Sequence, residues 1–133
     1  PISPEMSEIC DLYGKTSKTF GGGQEIFDLY IGDSQQLVTM LQLGKNGPIK
    51  NKPPTNTWIN IWLHFLRQNS KTVGTASWSL NNIEPKSGDN FSSISSFDNV
   101  PITKLLFGPI KYNTMFAFSK LQISTTLINN NVV

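Results

Sequence analysis

Trp58, Asn60, Trp62 and His64 recur at every second position of Thr57–Arg67 (TWINIWLHFLR), so in an extended strand they share one face. Indole rings stack on the CH-rich faces of sugars, and Asn, His, Ser and Thr supply neutral donors and acceptors for hydroxyls. The chemistry this spacing points to is non-covalent recognition, with carbohydrate as the first expectation. The other face of the run, Ile59, Ile61, Leu63 and Phe65, is purely apolar. Trp58, Ile61, Trp62, Phe65 and Leu66 also fit helical spacing. Pro53-Pro54 in front, a polar loop behind and the β-branched and aromatic content favour a strand.

A second run, Thr72–Leu80, alternates Ala76, Trp78 and Leu80 against Thr75, Ser77 and Ser79. Gln68, Asn69, Ser70 and Lys71 suit a hairpin loop between the two runs. A one-residue slip would exchange the faces, so apolar must pair with apolar: Ile59, Ile61, Leu63 and Phe65 with Ala76, Trp78 and Leu80. The opposite face then gathers a candidate ligand set of Trp58, Asn60, Trp62, His64 and Ser77, flanked by Thr75 and Ser79. Trp78 is assigned to the core. The competing expectation is that Trp58 and Trp62 sit under a second sheet or a loop, with His64 hydrogen-bonded locally.

Catalytic constellations are poorly represented. Cys10 lies in an apolar strand-like setting and His64 is far off in sequence, which disfavours a Cys/His pair. A retaining glycosidase needs two carboxyls roughly 5–5.5 Å apart. Glu25 and Asp28 are three positions apart and so face opposite sides of a strand. One histidine cannot build a His-rich zinc site. Asp33, Asp89 and Asp98 lack calcium-loop spacing and read as turn residues. Gly21-Gly22-Gly23 lacks the GK[ST] of a phosphate loop and reads as a turn. The expectation is a non-enzymatic chain with no cofactor and no metal.

The chain has 133 residues, 15% of them charged against a usual figure of about 25%, and a net charge of +2. That balance, with no basic stripe, argues against nucleic acid. No apolar run approaches the roughly 20 residues of a membrane span. A single cysteine excludes an internal disulfide. The opening Pro1 suggests a mature chain, or a piece excised from a larger protein.

Taken in order, strands are expected at Ile9–Tyr13, Gln24–Ile31, Gln35–Leu43, the central hairpin, Ile102–Ile110 and Met115–Thr126. Gly44–Asn56 is expected as a long exposed loop and Asn81–Ser96 as a polar connection. Residues 1–8 and 127–133 read as loose tails around a single domain, residues 1–133. Asn90-Phe91-Ser92 matches an N-glycosylation acceptor, a tripeptide frequent by chance in an Asn/Ser-rich chain. Strands separated by polar turns, without a convincing helix or repeat, mean an all-β antiparallel sandwich or barrel.

Leu105-Leu106-Phe107-Gly108 and Phe118-Ser119-Lys120-Leu121-Gln122-Ile123 resemble the closing strands of laminin-G-like, concanavalin-A-like jelly rolls. Trp58-Ile59-Asn60-Ile61-Trp62-Leu63 resembles a middle strand of such domains. The resemblance implies a jelly-roll sandwich, a lectin-like binding role and a rim calcium. His64, Phe65, Arg67, Asn69 and Trp78 are similar in type to a galectin sugar site. The arginine falls one position early and no Glu or Arg follows Trp78 at the right spacing, so no galectin role is carried over. Composition and resemblance together predict an extracellular or surface-exposed module that recognises a glycan or glycoprotein. The alternative is a protein-recognition or assembly domain of viral-surface or adhesin type, with a homo-oligomer or protein partner. A glycoside hydrolase on the same scaffold is disfavoured.

Overall fold

The computed structural model describes residues 7–14, 24–31, 36–41, 47–54, 56–99, 101–107 and 120–124. All eight of its described elements are strands: β1 (Ser7–Gly14), β2 (Gln24–Ile31), β3 (Leu37–Leu41), β4 (Gly47–Pro48), β5 (Asn60–Gln68), β6 (Lys71–Ser79), β7 (Phe91–Asp98) and β8 (Ile102–Phe107). They form two antiparallel sheets, ordered β4-β3-β2-β1-β8 and β5-β6-β7. This is an all-β fold consistent with a β-sandwich.

The β5–β6 hairpin has the register that apolar matching requires. Ile61 opposes Trp78 and Leu63 opposes Ala76, while Trp62 opposes Ser77 and His64 opposes Thr75. The turn narrows to Asn69-Ser70, and Asn69 takes φ 55, which a short polar side chain tolerates. The core runs through both sheets: Cys10, Leu12, Phe27, Leu29 and Leu37 meet Ala76, Trp78 and Ile94. Phe27 of β2 packs edge-to-face on Phe65 of β5 at 5.2 Å between ring centroids. Cys10 is a small buried core residue, as its strand-like surroundings suggest.

Three expectations are corrected. The polar stretch Asn81–Ser96 contains most of a strand, β7, whose signal is hidden by a bulge. Ile94 opposes Gly74 and Phe97 opposes Thr72, with a register shift between. That shift lets residues three apart both pack on the core, so strict alternation is lost.

The Gly44–Asn56 segment is not simply an exposed loop, because Ile49 is fully buried. Its N–H donates to Leu37 O at 2.8 Å, which prolongs the β3–β4 ladder. Asn51 N–H donates to Asp89 O at 2.9 Å and Trp78 Nε1 donates to Asn51 O at 3.1 Å. This segment therefore fastens one sheet to the other.

Finally, Lys120–Ser124 is not in a strand, and Leu121 and Ile123 are solvent-exposed. The rest of the predicted strand Met115–Thr126 lies outside the described residues.

Candidate functional site

The outward face of β5-β6-β7 carries cross-strand rows. One is Trp62, Ser77 and Phe91; the next is His64, Thr75 and Ser93. The chain leaving β6 folds back beside these rows. Asn60 Nδ2 donates to Asn81 O at 2.7 Å, and Ser79 Oγ donates to the same carbonyl. Asn81 Oδ1 accepts from Ile83 N–H at 3.2 Å, a local turn of the kind Asn favours. One residue on, Glu84 is brought against His64 Nε2, and its other oxygen lies 3.3 Å from Lys86 Nζ. Gly88 then takes φ 92, and Phe91 N–H donates to Gly88 O at 3.2 Å as β7 begins.

The loop separates the expected ligand set by accessibility. Trp58, just before β5, is 64% exposed, whereas Trp62 is 7% exposed and Ser77 is buried. Asn60 and His64 are half-buried, each engaged by the returning loop. Leu80 and Ile83, which follow β6, are also exposed. A space of about 1280 Å³ runs along β5 and into the core between the sheets, lined by Leu12, Leu29 and Phe65 as well as by His64, Thr75 and Glu84.

The chemistry elsewhere is sparse. The Cys10 thiol is pushed up to about 12 by burial, then by the charges of Asp11 and Asp28, so it stays protonated at neutral pH. Asp89 lies 3.5 Å from Lys50 Nζ and Asp98 pairs with Lys71, while Asp33 lies outside the described residues. Among the described residues no group of three or more His, Cys, Asp or Glu could hold a metal ion. No described helix is long and apolar enough to cross a membrane.

Sequence reasoning missed two carboxylate features. Glu84 sits in a stretch of low hydrophobicity, and nothing local signals that the loop returns to His64. Asp11 and Asp28 oppose each other across β1 and β2, which only the register reveals. Their alternation with Cys10, Leu12, Phe27 and Leu29 was the available hint.

No family model, curated protein or solved structure matches this chain.

Proposed function

We propose that this chain is a non-catalytic carbohydrate-binding recognition module, extracellular or surface-exposed, built on a jelly-roll sandwich of concanavalin-A-like type. Trp58 is the stacking platform, with Asn60 and His64 as polar neighbours. Trp62 and Ser77 support the site from within the sheet. The observation that carries this reading is the exposed Trp58 indole two positions before Asn60, whose side-chain amide is held by Asn81 O; an indole and polar amides are a combination suited to a sugar's CH face and hydroxyls. A second reading, recognition of a protein partner or a second copy, draws on exposed Leu80 and Ile83, which follow β6.

The test is tryptophan fluorescence during titration with a mixed glycan panel. A saturable shift that disappears in Trp58→Ala, with folding retained, supports the carbohydrate reading. A glycan response unchanged in Trp58→Ala would remove the platform. No response, combined with concentration-dependent mass in light scattering that Trp58→Ala abolishes, would favour the second reading.

A further inference from the structure

Glu84-Pro85-Lys86 lies on the loop that follows β6. Proline biases the residue before it toward extended backbone, in which side chains two apart point to the same side. Glu84 and Lys86 accordingly meet, with Oε2 3.3 Å from Nζ. The other carboxylate oxygen lies against Nε2 of His64, which belongs to β5. One carboxylate is thus held between an imidazole and an ammonium that come from different elements.

Exposure grades across this contact. The Glu84 side chain is 9% exposed, that of His64 31% and that of Lys86 71%. His64 Nε2 itself is shut off from water. Thr75 and Ser93 stand in the same cross-strand row as His64, and all five residues line the space along β5. Their hydroxyls add neutral donors and acceptors beside the two charged partners.

The loop has other anchors than Glu84. Asn81 O accepts from Asn60 Nδ2 and Ser79 Oγ, and Asn81 Oδ1 accepts from Ile83 N–H. An ion pair with exposed partners adds little to stability. A carboxylate held by two donors next to solvent, on a loop fastened elsewhere, has the form of an internal occupant.

We propose that His64 and Lys86 form a carboxylate-binding subsite, filled by Glu84 in the free chain and by the carboxylate of an acidic sugar, of the uronic or sialic class, in the complex. This rests on the carbohydrate reading above and narrows it to acidic glycans. A sugar carboxylate presents the same two oxygens as Glu84, one for the imidazole N–H and one for the ammonium, both charge-assisted. The sugar's hydroxyls fall to Thr75 and Ser93. Exchanging one carboxylate for another leaves both donors paired, and the displaced Glu84 is hydrated on its loop.

The experiment is calorimetric titration of the full chain with glucuronate and N-acetylneuraminate, with glucose and acetate as controls. Glu84→Gln keeps the side chain's shape and removes the competing charge. It should bind at least one of the two acids about fivefold more tightly than wild type, with no matching gain for glucose. Adding Lys86→Ala to Glu84→Gln should cancel that gain. A folded Glu84→Gln with no gain for either acid overturns the proposal, as does a gain that survives Lys86→Ala. An equal gain for acetate would leave a bare anion site and overturn the sugar assignment. If Glu84→Gln does not fold, the wild type decides. His64 is the only histidine, so its ring resonances report this site alone. They should move with an acidic sugar and not with glucose; ring signals unmoved by both acids overturn the subsite. Neutral glycans bound through Trp58, with no acid gain in Glu84→Gln, would remove this subsite alone. No sugar bound by any variant, acidic or neutral, would remove the carbohydrate reading with it.

Discussion

Asp11 with Asp28 in the five-stranded sheet, and His64 with Glu84 on the three-stranded one, each place a carboxylate against a second titratable group. They differ in origin and in access to water. The Asp pair arises from ladder register alone, and both members are sealed from solvent. The His64–Glu84 pair joins a strand to a loop, and His64 keeps about a third of its side chain exposed (31%). Burial turns the first pair into a question of stability. Exposure leaves the second next to solvent. The five-stranded sheet is thereby the frame, and the three-stranded sheet offers the surface on which recognition is proposed.

The sharpest way to break this comparison is at the join between the sheets. Phe27 is fully buried and packs edge-to-face on Phe65. Phe27→Ala should cost about 3–5 kcal/mol, from lost transfer energy plus the cavity left behind. Urea unfolding followed by circular dichroism checks it; a loss below about 1 kcal/mol would mean the sheets do not depend on this contact. The indole pair comes next. Trp62→Ala should destabilise by about 3 kcal/mol, because its side chain is buried on the outward face. Trp58→Ala should leave stability within about 0.5 kcal/mol, while changing fluorescence toward a more buried average. Equal effects at the two positions would erase the distinction between platform and support.

Much of the frame was legible because its strands alternate cleanly. Gln24–Ile31 matches β2 as read, and the Ile61–Trp78 and Leu63–Ala76 pairings follow from keeping apolar residues together. β7 was not legible, since its bulge puts Ile94 and Phe97 on the core at an odd spacing. Ile49 was hidden for another reason: its neighbours Gly47, Pro48, Lys50 and Asn51 carry a loop's composition. The site was legible only as a face. Period two put Trp58 and Trp62 on the same side, but β5 begins only at Asn60, so strand geometry places Trp62 and not Trp58. Their opposite exposures are a tertiary fact that alternation does not carry. Asp11 and Asp28 show the same limit, because sixteen intervening residues conceal a direct cross-strand pair.

A smaller effect is expected at Gly74, where β6 passes closely under its neighbours. A Cβ built there would lie 2.9 Å from His64 O, 3.0 Å from Phe65 Cδ1 and 3.1 Å from Ile94 Cδ1. The nearest of these is backbone and cannot swing away, so β5 must shift. Gly74→Ala should therefore cost about 1–3 kcal/mol by overpacking. Because the displaced carbonyl belongs to His64, the substitution should also loosen the Glu84 contact. Faster amide exchange across Asn82–Lys86 would register that; unchanged exchange would show the loop to be held by other bonds, such as Asn60 to Asn81.

The smallest effect separates an exposed carboxylate from the buried pair. Asp98 is held below the usual carboxylate range by its hydrogen bond from Lys71, and then by that ammonium's charge. A lowered folded pKa contributes stability that is present above the unfolded value and lost as pH falls through the folded one. It acts at acid rather than at neutral pH. Both partners are largely exposed, so solvent and salt screen the interaction. Asp98→Asn should leave the urea midpoint at neutral pH unchanged and soften only the acid limb of the stability profile. A neutral-pH midpoint that also fell would show that this exposed pair is worth more than a screened surface contact.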